Sequence, residues 1–176
     1  AAHPDHPGAN HFYIHTMEAS AYPEKAVAAA ENLRDMIPGS GHLVHMPSHI
    51  FINVGRYEDA VIANQMAIEA DEAYFDVVGQ PTFYRVYFLH NMHFLAYAAM
   101  MEGRSELALS AFKRMEAECP EEMIRMFAPV IDGLIPARLH TLIRFGRWEE
   151  ILEQSQYPEF QHASRATRAF ARTVAL

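Results

Sequence analysis

Eleven histidines stand in this chain of 176 residues, and several are spaced as ligands on one helix face would be. His11 and His15 are four residues apart, as are His45 and His49, while His90 and His93 are three apart. Residues at these spacings share a helix face, and a neutral imidazole nitrogen is a common ligand for zinc, copper, iron and nickel. Paired histidines four residues apart hold zinc in the helical motif His-Glu-x-x-His. Glu18 follows His15 by three residues and adds a carboxylate that could ligate, orient a ligand or act as a general base. His140 completes the set of candidate metal ligands: His11, His15, Glu18, His45, His49, His90, His93 and His140.

The elements that must position these residues are marked by repeated turn signatures. Gly55-Arg56-Tyr57-Glu58-Asp59-Ala60 and Gly146-Arg147-Trp148-Glu149-Glu150 are strong copies, Gly103-Arg104-Ser105 is a weaker one, and Ala21-Tyr22-Pro23-Glu24 is a fourth without glycine. These signatures resemble the turn of the tetratricopeptide repeat, a helix–turn–helix unit of 34 residues. The interval from Ala21 to Gly55 equals that length, and the two later intervals are longer, so insertions separate the later units. With each turn at position 15, Pro38 and Pro120 both fall at position 32, where the family usually ends a helix.

In that register His11, His45 and His93 occupy position 5, and His15, His49 and His140 occupy position 9. Position 2 holds Gly8, His42, His90 and Gly133, and Glu18 is at position 12. Steps of three and four put these positions on one stripe, whereas Ile14, Met17, Leu139 and Leu142 at positions 8 and 11 belong to a core face. The resemblance implies that the stripe lines a concave groove. The segments His6-Pro-Gly-Ala-Asn-His-Phe-Tyr-Ile-His15, Gly41-His-Leu-Val-His-Met-Pro-Ser-His-Ile50 and His90-Asn-Met-His-Phe-Leu95 resemble a largely uncharacterised group of bacterial tetratricopeptide-repeat proteins. That resemblance implies a fold and carries no reaction with it.

The fold expected is all-α, an α-solenoid of about four helix hairpins over residues 8–38, 41–71, 88–120 and 132–158, with the start of a further helix at 163–176. Asp5 is the expected cap of the first helix, with Pro7 in its first turn. Pro47 is expected to kink the helix that carries His45, or to start it near Met46. Residues 72–87 read as an aromatic-rich connection or a flap over the groove, and 121–131 as a second insertion. The unpaired last helix and the Ala1-Ala2 start suggest a fragment of a longer repeat protein.

A net charge of −8 argues against a nucleic-acid groove, which would need a basic stripe. No apolar run approaches the ~20 residues of a membrane span, and localisation is open between cytoplasm and periplasm. The single Cys119 excludes an internal disulfide and a cysteine-based zinc site. The reading favoured is a histidine-lined groove that binds one or two ions of zinc, copper, iron or nickel. Such a metal would either organise a site for a ligand or perform chemistry at an open position. The alternative is a metal-free scaffold that grips a peptide or protein segment or a small molecule. A third reading makes histidine an acid–base catalyst oriented by Glu18.

Overall fold

The computed structural model describes residues 3–79 and 83–176, and among these every regular element is helical. In chain order they are α1 (Pro7–Glu18), a 3-10 turn (Pro23–Ala26), α2 (Val27–Arg34), α3 (Gly41–His45), α4 (Pro47–Asn53), α5 (Tyr57–Val78) and α6 (Arg85–Met101). Then follow α7 (Ser105–Glu118), α8 (Glu121–Ile131), α9 (Ala137–Arg144), α10 (Trp148–Glu153) and α11 (His162–Ala175). None is long and apolar enough to cross a membrane. The chain divides into two compact units, Ala1–Arg104 and Ser105–Leu176.

Three turns share one backbone solution. Gly55, Gly103 and Gly146 have φ of 78°, 79° and 66°, a region that a side chain disfavours. The arginine after each glycine donates its N–H back across the turn, Arg56 to Phe51, Arg104 to Ala99 and Arg147 to Leu142, at 2.8, 2.9 and 2.9 Å. This is the Schellman closure of a helix C-terminus. The repeated Gly-Arg pair therefore encodes a repeated turn.

In the first unit α5 packs against α3, α4 and α6, while α1 packs against α2 and α4. Ile14, Leu33, Val44, Met46, Ile50, Phe51, Ala60, Phe88 and Met92 fill the core. In the second unit Leu139, Leu142, Ile151 and Ala171 form the centre, with Leu109, Ile143, Tyr157 and Ala175 against them. The core positions assigned to Ile14, Leu139 and Leu142 are fully buried, and Met17 is half-buried.

Two local expectations are corrected, and two others take a definite form. The N-cap of α1 is His6, whose Nδ1 accepts the Ala9 N–H at 3.2 Å, and not Asp5. Of the two outcomes expected at Pro47 the structure has the second: α3 ends at His45, Met46 caps the next helix, and Pro47 is the first residue of α4. Residues 72–78 extend α5 without a Gly or Pro to stop them. Phe75 is buried there against Phe88 and Tyr84, with ring centroids 5.2 and 5.9 Å apart. The described part of 72–87 is thus mostly helix, and Gln80 and Pro81 of the expected break lie outside the described residues. Residues 121–131 likewise form a helix, α8, whose first turn carries Glu121 and Glu122 where the helix dipole favours acids.

Candidate metal centre

Two groups of three histidines, both in the first unit, have their ligand atoms close enough to hold a metal ion. One is His11, His15 and His42, the other His45, His49 and His90, and within each group the donor atoms lie within 4.8 Å of one another. Both obey one rule in the repeat register. Each takes positions 5 and 9 of one first helix and position 2 of the next, because α1 packs on α4 and α3 on α6.

The inner group is held by its surroundings. His45 is fully buried on α3, and its Nδ1 lies 2.6 Å from the Asn64 side-chain oxygen. The Asn64 amide nitrogen donates to the Ala60 carbonyl at 2.7 Å, which turns the amide oxygen toward the imidazole. His45 Nδ1 must then carry the hydrogen, and Nε2 presents a lone pair. On α4, His49 makes a short contact from Nδ1 to the Glu18 carboxylate, so its Nε2 is also left with a lone pair. These two Nε2 atoms face each other at 2.9 Å. Two lone pairs at that distance repel unless a proton or a metal ion stands between them. Nitrogens ~2.0–2.1 Å from a tetrahedral zinc are ~3.3 Å apart, so a small opening of the pair admits an ion. Phe94 covers the group, with its ring 4.8, 4.5 and 4.6 Å from those of His45, His49 and His90.

The outer group is more open. His11 and His42 bring their Nε2 atoms to 3.1 Å, and the His11 and His15 rings meet edge-on at 4.8 Å. Glu18 accepts from His15 Nδ1 at 2.7 Å while holding His49, and so orients one ring of each group. The Tyr87 ring lies 4.7 Å from His42, whose buried Nδ1 has no hydrogen-bond partner among the described residues.

Burial, with repulsion between neighbouring rings, favours the neutral, metal-binding form of His11, His42, His45, His49 and His90. Burial, and the neighbouring His11, His15 and His49, push His42 down to about 4. Burial with His49, His93 and His42 does the same to His90, also to about 4. His45 falls well below the ordinary histidine range through burial first and His49 second, against the bond to Asn64. Burial lowers His49 despite the raising effect of Glu18, and it lowers His11 and His93 as well.

A structural pin aligns the helices that carry the rings. Asp71 of α5, fully buried, accepts from Tyr84 Oη at 2.9 Å and from Asn91 Nδ2 at 2.8 Å. Gly41 lies so close that a Cβ there would overlap the Asp71 carboxylate. The first residues of α3 and the middle of α6 are thereby fixed beside one another, and His42 and His90 with them.

Of the eight residues singled out in the sequence, six gather here: His11, His15, Glu18, His45, His49 and His90. His93, one step along α6, belongs to neither group, and His140 is exposed on α9 of the second unit. His90 instead joins His45 and His49. His42 was missed as a ligand although it shares the stripe at position 2. Asn64 was missed because it comes from the partner helix of the hairpin, which no stripe argument reaches. No protein-family model, curated protein or solved structure matches the chain. The geometry alone carries the functional reading.

Proposed function

We propose that the first unit is a tetratricopeptide-like metal-binding module in which His45, His49 and His90 hold a first-row transition ion, with Asn64 and Glu18 orienting two of the three rings. The facing Nε2 atoms of His45 and His49, each with its Nδ1 committed to an acceptor, carry this reading. An all-imidazole set suits zinc, copper, iron or nickel and not magnesium or calcium, which prefer oxygen. Three protein ligands leave at least one coordination position open. The histidine stripe would then line a groove in which a ligand reaches the ion.

The test is the metal content of the full chain purified without an affinity tag, before and after incubation with zinc, copper, iron or nickel. Retention of stoichiometric metal through dialysis, and its loss in His49→Ala, is the expected result. No retained metal under any of these conditions overturns the reading and leaves a metal-free peptide scaffold as the better account.

A further inference from the structure

The two histidine groups are one continuous cluster. The His15 and His49 rings, from different groups, have centroids 5.5 Å apart, no farther than His49 and His90 within one group at 5.6 Å. His42 and His45 stack across the same boundary at 6.4 Å. Glu18 spans it, with one oxygen on His15 Nδ1 and the other on His49 Nδ1. A carboxylate shared in this way ties the orientation of a ring in one group to that of a ring in the other.

Resting on the reading that these histidines bind metal, we infer that the six rings form a single two-metal centre that takes a small anionic oxygen ligand, such as hydroxide, between its ions. Two ions in such centres stand ~3.5–4 Å apart and share oxygen ligands. Each histidine group supplies three nitrogens and leaves its ion a free position. Charge balance selects an anion. Six neutral imidazoles offset none of the charge of two divalent ions, and Glu18 is the one carboxylate found against these rings among the described residues. Hydroxide forms there when an ion-bound water gives its proton to solvent, a loss that the bound ions favour. The more open outer group, with His15 exposed and His11 half-buried, gives such a ligand its way in.

Copper(II) is the probe that separates one centre from two, because a bridging oxygen couples the spins of adjacent copper ions. The full chain is loaded with copper(II), washed with a weak chelator, and measured for copper per chain and for integrated electron paramagnetic resonance intensity. Two coppers per chain with an intensity below half of the copper present is the expected result. One azide per copper pair should then saturate the visible charge-transfer band. In His11→Ala, copper should fall to one per chain with its full intensity restored, while far-UV circular dichroism stays unchanged. One copper per chain in the parent protein, or two with full intensity and independent azide binding, would overturn the two-metal centre and leave metal binding intact. A coupled pair persisting in His11→Ala would overturn the assignment of the outer group. No retained copper in the parent protein, with no other metal held either, would remove both inferences together.

Discussion

The two units close their helix hairpins with the same Gly-Arg turn and then use their buried polar groups for different ends. In the first unit Asn64, Glu18 and Asp71 position imidazoles or the helices that bear them. In the second, Asp132 accepts from the Ala163 and Ser164 N–H groups at 2.7 and 3.3 Å and so pins the start of α11. Arg138 likewise joins Glu116 at 3.0 Å and Gln154, stapling α9 to its neighbours. The difference lies in the first helix of each repeat. Positions 2 and 5 of the fourth repeat are Gly133 and Pro136, both before α9 begins at Ala137, so His140 has no partners on its stripe. A shared turn therefore sets the scaffold, and the residues at positions 5 and 9 of one first helix and position 2 of the next decide whether three imidazoles meet.

The sharpest way to break this contrast is to remove one histidine from each unit. His49→Ala should lower metal affinity by more than about 100-fold, above the loss expected of an orienting group. His140→Ala should leave it unchanged. Competition against a chelator of known affinity measures both, and equal losses would erase the distinction between the units. Glu18→Gln keeps the shape but weakens the acceptor shared by His15 and His49. A loss of about 10–100-fold is expected, and an unaltered affinity would make Glu18 a bystander.

A pair of glycines tests the scaffold beneath the site. A Cβ at Gly41 would collide with Asp71 and come within 2.7 Å of the Ala67 carbonyl oxygen, whereas one at Gly133 would meet nothing within 4 Å. Gly41→Ala should cost about 1–3 kcal/mol through overpacking, and Gly133→Ala should stay within about 0.5 kcal/mol. Thermal melts compare them at about 2–4 °C per kcal/mol for a chain of this size. Coincident melts would show that the Asp71 pin yields without strain.

What the sequence made legible were the features written in local spacing. The turn glycines have the positive φ that their Gly-Arg context suggests, and the 2-5-9 stripe contains all six clustered histidines. Which histidines meet was not legible, because each group borrows position 2 from the following repeat, and that offset depends on how far adjacent helices slide past each other. The orienting groups were equally hidden, since Asn64, Asp71 and Asn91 reach their partners across 19 or 20 residues of chain. The length of α5 was misread for a different reason. A long interval between turns looks like a loop, but with no breaker before Gly79 and with Phe75 to bury, it becomes helix.

The smallest expected effect is a pH dependence of the metal-free fold, and its sign follows from the two kinds of buried group in the first unit. His90 and His42 titrate near 4 when folded, against an unfolded value of 6.5. Between those limits the unfolded chain binds protons that the folded rings do not, so stability falls as pH falls from about 6.5 toward 4. Asp71 works in the opposite direction, because burial raises it from 3.8 to about 6 and acid therefore favours the fold in that window. The histidines outnumber it. A net loss on the order of 1–2 kcal/mol between about pH 7 and pH 5 is expected, read as a lower melting temperature of the metal-free protein. Bound metal blocks the same nitrogens from protons and should delay the fall to the pH at which the ion itself is displaced. His90→Gln removes one of the depressed groups and should flatten the metal-free profile, while His162→Gln, exposed at the start of α11, should leave it as it is. If the two variants give the same slope as the parent protein, the strain on the neutral rings is not what couples this unit to pH.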